Sequence, residues 1–168
     1  HESEEPPRQE DMILKLRDKD GLLCLLTDRI DKDVMEAAKN LKVISTMSAG
    51  YEHIDLREAT KRGIYVGYTP GVLTEATADI TFALILSVAR QIIPADKYVR
   101  NHKWKLSWSP FLFVGESVWG STIGIIGLGR IGKAVAKRAR GFNMKILYTD
   151  IPRLPPEKEK EWGIEYRP

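Results

Sequence analysis

Three closely spaced glycines have the spacing of a ligand-binding turn. Gly127, Gly129 and Gly132 form the sequence G-x-G-x-x-G. The first glycine permits a tight turn, the second lets a ligand approach the backbone, and the third lets a helix pack closely on a strand. Because glycines also recur by chance in loops, this spacing indicates a nucleotide site only where the surrounding elements are right.

The residues on either side supply those elements. The apolar run 123–126 predicts a buried parallel strand. Residues 131–140 predict a helix with one apolar face, and residues 145–149 predict a second strand. Strand, glycine turn, helix and strand in this order strongly indicate a dinucleotide-binding unit. The alternative is a strand–helix–strand crossover that binds nothing.

The rest of the turn and the end of the second strand predict which groups are bound. Leu128, Arg130 and Ile131 lie between the glycines, where free backbone amides at a helix N-terminus suit a diphosphate. Asp150, 18 residues after the last glycine, could accept hydrogen bonds from the adenosine ribose and would repel a 2′-phosphate. The sequence therefore predicts NAD in preference to NADP, although Arg153 could weaken this preference.

Composition excludes several other classes of function. The 168 residues are 43% hydrophobic and 29% charged, as in a globular protein. A net charge of +3 argues against a nucleic-acid partner, and no apolar run is long enough to span a membrane. The single cysteine, Cys24, lies in an apolar run. It is predicted to be a buried thiol of a protein in a reducing, cytoplasmic compartment.

Residues 1–70 alternate between short helices and short strands. The predicted strands are 22–26, 41–47 and 64–66, and the predicted helices are 11–17, 32–39 and 56–62. This alternation predicts an α/β fold with an open, parallel, doubly wound sheet. The turn 68–71 breaks the alternation, and it is the predicted boundary between a domain of residues 1–70 and a domain of residues 71–168.

The second domain begins with helices rather than strands. Residues 73–90 predict a long, largely buried helix, and residues 95–101 predict another. An aromatic stretch follows, with Trp104, Trp108, Phe111, Phe113 and Trp119. Such a stretch outside a regular element is predicted to pack on a domain or on a neighbouring subunit.

Each domain shows too few strands for a complete sheet. After a helical turn at 157–161, residues 163–166 predict the third strand of the second domain. A complete dinucleotide domain has about six strands, and the first domain also shows only three. The sequence therefore predicts a fragment of a longer polypeptide.

Two long stretches together resemble the D-isomer-specific 2-hydroxyacid dehydrogenases: TMSAGYEHIDLREATKRGIYVGYTPGVLTEATAD and STIGIIGLGRIGKAVAKRARGFNMKILYTD. Within that family the resemblance is greatest to the glyoxylate/hydroxypyruvate reductases, and it extends from about Asp20 to Pro168. It implies two doubly wound domains, one flavodoxin-like and one Rossmann, both incomplete here, with an active site in the cleft between them. It also implies hydride transfer between a nicotinamide cofactor and the C2 carbon of a small 2-oxo acid.

The resemblance assigns no catalytic side chain to this chain. The family uses an arginine, a glutamate and a histidine that correspond to segments beyond Pro168, so the chain is expected to be inactive alone. None of the histidines present, His1, His53 and His102, takes the family position. His53 is expected to be a surface or capping group.

Five positions match contacts of the family. By resemblance, the backbone amides of Ala49 and Gly50 face the substrate carboxylate, and Leu26 closes over the small acid. Thr77 lies near the cofactor, and Trp108 reaches the pocket of a neighbouring subunit, which implies a homodimer. The simpler alternatives are a tight turn, a core leucine, a helix cap and ordinary packing, respectively.

A second class of function stays open at this point. NAD-sensing transcriptional corepressors have the same fold, and they bind peptide partners. An arginine, a glutamate and a histidine, in that order, in the sequence after Pro168 would favour the enzyme, and their absence would exclude it.

Overall fold

The computed structural model describes residues 5–168. These residues form two compact units, of which the first ends at Leu73 and the second begins at Thr74. Each unit contains three parallel strands connected through helices. The predicted α/β fold with parallel sheets is therefore confirmed.

The first unit places β2 at the centre of its sheet. Its elements are α1 (Gln9–Leu16), β1 (Gly21–Cys24), α2 (Lys32–Ala37), β2 (Val43–Thr46), α3 (Leu56–Lys61) and β3 (Tyr65–Gly67), with strand order β1-β2-β3. Helices α2 and α3 begin after Asp31 and Asp55, because each carboxylate accepts hydrogen bonds from backbone N–H groups of the first turn.

The second unit places β5 at the centre of its sheet. Its elements are α4 (Thr74–Ala89), α5 (Ile92–Arg100), β4 (Thr122–Ile126), α6 (Arg130–Gly141), β5 (Lys145–Thr149), α7 (Pro156–Trp162) and β6 (Ile164–Tyr166), with strand order β4-β5-β6. The strand, glycine turn, helix and second strand predicted around Gly127 are therefore confirmed.

Within each unit, only one face of the sheet is covered. In the first unit Cys24 and Ile44 are buried, whereas Leu23 and Tyr65, which point to the opposite face, are exposed. The prediction that residues 22–26 form a wholly buried strand is wrong, because the strand ends at Cys24 and the helices of this unit pack on one face.

The same holds for the second sheet. Ile125 and Tyr148 are paired in register and lie in the core, whereas Ile126 is 92% exposed. The prediction of a buried strand at 123–126 is therefore wrong at Ile126. An apolar strand sequence predicts burial on both faces, but these residues are covered on one face only.

Helix α4 is covered by the rest of its unit on one side only, so the prediction that it is largely buried is also wrong. Ala78 and Phe82 are buried in the core of the second unit, and the ring of Phe82 stacks on that of Phe142 at 5.3 Å. Leu84 and Val88 are exposed. Among residues 5–168, no single helix has the length and hydropathy to span a membrane, and α4 and α5, bent by 66°, pass that test only as a pair.

Candidate active site

The glycine turn joins β4 to α6. Gly127 has a φ of 89°, in the left-handed region that glycine adopts without strain. Its N–H donates to the carbonyl of Thr149 at 2.9 Å, which ties the turn to β5. Helix α6 begins at Arg130 with no side-chain cap at Gly129, and both Arg130 and Ile131 are exposed. The first backbone amides of α6 are therefore placed to bind an anion.

Gly132 is required by close packing within the turn. A Cβ atom at this position would lie 2.2 Å from the carbonyl oxygen of Gly127 and 3.3 Å from a methyl carbon of Ile125. Backbone atoms cannot yield as a flexible side chain would. The sequence-based role of this glycine, close packing of helix on strand, is therefore supported by the geometry.

Gly129 has no such requirement. Its φ is −68°, which any residue adopts, and an added Cβ would lie within 4 Å of no atom of the described residues, apart from its two chain neighbours. The open space beside Gly129 is therefore not filled by this chain, which fits a position where a ligand approaches the backbone.

Asp150 connects the ends of β4 and β5. One of its carboxylate oxygens accepts a hydrogen bond from the N–H of Leu128 at 2.7 Å, and the other accepts one from the N–H of Ile151 at 2.7 Å. The Leu128 side chain is buried in the core, so this residue contributes only its backbone to the turn. Sequence reasoning assigned Asp150 to the ribose and missed its hold on the turn, because the pairing of the two strand ends was not visible.

Helix α4 is joined to α6 by an ion pair. The Nε atom of Arg138 donates to Asp79 at 2.8 Å. Thr77 lies in the first turn of α4, and its carbonyl accepts a hydrogen bond from the hydroxyl of Thr81 at 2.7 Å. Helix α4, which carries Thr77, packs on α6. No hydrogen bond joins Thr77 to the glycine turn in the described part of the chain.

In the first unit, Ala49 and Gly50 lie in a turn after β2. The carbonyl of Ser48 accepts hydrogen bonds from the N–H and the hydroxyl of Thr69 at 2.9 and 3.0 Å. The hydroxyl of Ser48 donates to the carbonyl of Gly50 at 2.6 Å. The turn is therefore fixed at both ends, at the carboxyl edge of a parallel sheet where ligands commonly bind.

A buried chain of hydrogen bonds continues from this turn to His53. The Thr46 hydroxyl lies 2.7 Å from that of Ser48 and 3.0 Å from Nε2 of His53. Since the Ser48 hydrogen is committed to Gly50, Thr46 donates to Ser48 and accepts from His53. These directions place a proton on Nε2 of His53.

His53 is half-buried, its Nε2 atom takes part in this network, and the cap of α3 is Asp55, so the expectation of a surface or capping group is wrong. Its Nδ1 atom is buried without a partner among the described residues. Cys24 Sγ lies 4.0 Å from Nε2, and burial raises the pKa of the Cys24 thiol. The predicted buried cysteine is confirmed. Polar residues at alternate positions 46 and 48, at the end of a strand, were the only signal of this network in the sequence.

The remaining predicted contacts are exposed. Leu26 lies beyond the end of β1 and is 61% exposed, so it is not a core leucine. Trp108 is 76% exposed and lies outside the helices and strands.

His102 is exposed at the end of α5, and His1 lies outside the described residues. Residues 5–168 contain no group of three or more His, Cys, Asp or Glu side chains that could hold a metal ion.

The amino-acid sequence of this chain is similar to those of known proteins. The family model described as "D-isomer specific 2-hydroxyacid dehydrogenase, catalytic domain" matches residues 2–150. A glyoxylate reductase of Thermofilum pendens is 55% identical over 166 residues, covering 98% of this chain and 47% of the relative. A glyoxylate reductase of Korarchaeum cryptofilum is 53% identical, with 98% and 49% covered. The chain spans about half the length of the curated relatives it matches.

Solved structures agree with the fold. The crystal structure of a Thermus thermophilus protein has a TM-score of 0.83 at 42% identity, covering 95% of this chain and 49% of that one. D-Lactate dehydrogenase of Aquifex aeolicus, complexed with NAD and lactic acid, has a TM-score of 0.79 at 29% identity, with 92% and 45% covered. An acyclic imino acid reductase in complex with NADPH and D-Arg has a TM-score of 0.80 at 30% identity, with 96% and 50% covered. The chain therefore belongs to the D-isomer-specific 2-hydroxyacid dehydrogenase family.

Proposed function

We propose that this chain supplies the phosphate-binding part of a nicotinamide dinucleotide site and part of the substrate pocket of a reductase acting on a small 2-oxo acid. The observation that carries the proposal is Gly129, since packing within the chain gives no reason for a glycine there. The names of the relatives, glyoxylate reductases, support glyoxylate or a similar acid as the substrate. The related structures with bound NAD or NADPH support the cofactor class.

The residues present fit a dinucleotide diphosphate. The backbone amides of Arg130, Ile131 and Gly132 at the uncapped N-terminus of α6 would bind it, with Gly129 leaving room for it. A nicotinamide cofactor supplies the hydride for reduction of the substrate carbonyl. The proposed role of this chain is to bind and orient the cofactor: the turn would hold the diphosphate, and Asp150 would accept hydrogen bonds from the ribose.

Asp150 supports a preference for NAD. Both of its oxygens already accept backbone N–H groups, and each retains a lone pair that a ribose hydroxyl could use. A 2′-phosphate would meet this carboxylate at short range, where like charges repel.

The turn at Ala49 and Gly50 is proposed to bind the substrate carboxylate through its backbone amides, with Leu26 covering the acid. None of these three residues has a side chain that could act as a general acid or carry a positive charge. By resemblance to the family, the proposal assigns the catalytic arginine, glutamate and histidine to segments that correspond to positions beyond Pro168. It expects no turnover from this chain by itself.

The exposed aromatic and apolar residues of the second unit support a homodimer; its proposed location is the cytoplasm, because the single cysteine suits a reducing compartment. Trp108 and Phe111 are exposed, as is much of α4, and large apolar patches commonly mark interfaces. Sedimentation or light scattering of the full-length protein should give twice the chain mass. Trp108→Ala should weaken substrate binding there if its side chain reaches the neighbouring pocket.

The central test compares two glycines in the second unit. Gly129→Ala should weaken NADH binding by about tenfold or more, because a methyl group would enter the space proposed for the diphosphate. Gly141→Ala is the matched control at the far end of α6, since its added Cβ also meets no atom of the described residues outside the adjoining chain. Isothermal titration calorimetry of wild type and both variants measures the difference. Equal NADH affinity in all three would contradict the proposal.

Reaction is tested separately. The full-length protein with NADH and glyoxylate should lose absorbance at the nicotinamide band, and the 168-residue chain should not. Absence of turnover in the full-length protein, with NADH binding retained, would favour the NAD-sensing alternative.

A further inference from the structure

The loop after β5 carries one cation, Arg153, and this cation is already paired. Its Nε and Nη2 atoms donate to the two oxygens of Glu159 at 2.7 and 2.8 Å. The guanidinium also lies over the ring of Tyr166, 4.8 Å from its centroid. A two-pronged ion pair and an aromatic face therefore fix Arg153 in one orientation.

Glu159 is anchored from the core side as well. Its Oε1 atom accepts a hydrogen bond from the hydroxyl of Tyr148 at 2.8 Å, and that hydroxyl accepts one from the N–H of Leu154 at 3.0 Å. Tyr148 is fully buried, and the Glu159 side chain is only 12% exposed. The hydrogen bonds from Arg153 and Tyr148 lower the pKa of Glu159 to about 2, so the ion pair stays charged at neutral pH.

The Arg153–Glu159 pair lies close in sequence to the residue that is proposed to bind the adenosine ribose, so it can affect the choice between NAD and NADP. Asp150 directly follows β5, and Arg153 comes three residues later in the loop to α7. In dinucleotide sites of this type, the adenosine ribose lies at the end of the second strand, and a nearby arginine accommodates a 2′-phosphate where NADP is bound. No other Lys or Arg occurs between Asp150 and α7.

We propose that Glu159 determines cofactor specificity by holding Arg153 away from the 2′-position, so that the site takes an adenosine ribose with a free 2′-hydroxyl. This inference rests on the proposed dinucleotide function and deepens it. Asp150 repels a 2′-phosphate, and Glu159 withholds the only group in the loop that would attract one. Removing the Glu159 charge releases Arg153 without altering the glycine turn.

Two nucleotide fragments report on the 2′-position directly: adenosine 5′-monophosphate and adenosine 2′,5′-bisphosphate. Calorimetry with the wild-type chain should show tighter binding of the monophosphate. Glu159→Gln should improve binding of the bisphosphate by roughly fivefold to tenfold and leave the monophosphate unchanged, because the freed guanidinium gains a charged partner. Glu161→Gln is the matched control on the same helix, since Glu161 pairs with Lys158.

Arg153→Gln keeps the inference testable if Glu159→Gln fails to fold. In the wild-type background this change should leave bisphosphate binding unaltered, and in the double variant it should cancel the gain. Loss of bisphosphate binding in Arg153→Gln alone would show that Arg153 already reaches the phosphate, and would overturn the inference. An unchanged fragment ratio in folded Glu159→Gln would also overturn it. Failure of the wild type to bind NADH or either fragment would overturn the proposed function, and the inference with it.

Discussion

The two turns that follow parallel strands are held by different means. In the second unit, the turn from Gly127 to Gly132 depends on backbone shape, with one carboxylate, Asp150, bracing it. In the first unit, the turn at Gly50 depends on the hydroxyls of Ser48 and Thr46. A single added Cβ at Gly132 is expected to disrupt the turn of the second unit, because it would meet backbone atoms, whereas the turn of the first unit should weaken by steps as each hydroxyl is removed.

The largest effect is expected in the glycine turn. Gly132→Ala should lower the free energy of unfolding by about 3 kcal/mol, because the new methyl group meets the Gly127 carbonyl and the helix must move away. Urea denaturation of the second-unit transition measures this loss. A variant as stable as wild type would show that the turn adjusts freely, which would remove the contrast between the units.

The hydroxyl chain should show a smaller loss. Thr46→Val keeps the shape of a fully buried side chain but leaves Ser48 and His53 short of a partner, for a cost of about 2 kcal/mol. Thr60→Val is the matched control, since the exposed Thr60 hydroxyl bonds only within α3 in the described contacts. Similar urea midpoints for the two variants would mean that the chain of hydroxyls does not stabilise the first unit.

A fall in pH should lower the free energy of unfolding of the second unit through Glu159, by a smaller amount than the two substitutions above. The pKa of Glu159 falls from 4.5 to about 2 on folding, so its contribution to stability is complete above pH 4.5 and is lost as the pH falls toward 2. Stability of the wild type should therefore decline more steeply over that range than stability of Glu159→Gln. Circular dichroism at stepped pH measures it, with Glu161→Gln expected to follow the wild type. Parallel curves for Glu159→Gln and wild type would contradict the assignment.

The smallest effect on stability is expected at Gly129. Gly129→Ala should leave the urea midpoint unchanged or raise it slightly, because its backbone conformation suits alanine and the unfolded chain loses freedom. A clear destabilisation would show that the glycine serves the fold, and would weaken its use as evidence for a ligand.

Local patterns predicted the elements well and the environments less well. The glycine spacing and the apolar periodicity are properties of neighbouring residues, so the turn, α6 and β5 could be placed from the sequence. The pairs Thr46–His53 and Arg153–Glu159 join different elements, and the local sequence does not show which residue pairs with which. The exposure of Ile126 and Val88 could not be predicted, because burial of an apolar side chain depends on which elements cover it.

The central position of β2 and β5 in their sheets predicts slow hydrogen exchange of their backbone amides. Each strand is paired on both edges, so its amides can exchange with solvent only when the sheet opens. β2 carries Thr46, and β5 carries Tyr148 and leads into Asp150. In a deuterium-exchange time course, the amides of Ile44, Ile146 and Tyr148 should therefore be among the last to be labelled, well after those of α5. The groups that hold both turns would then remain ordered through the local openings that expose the rest of each unit.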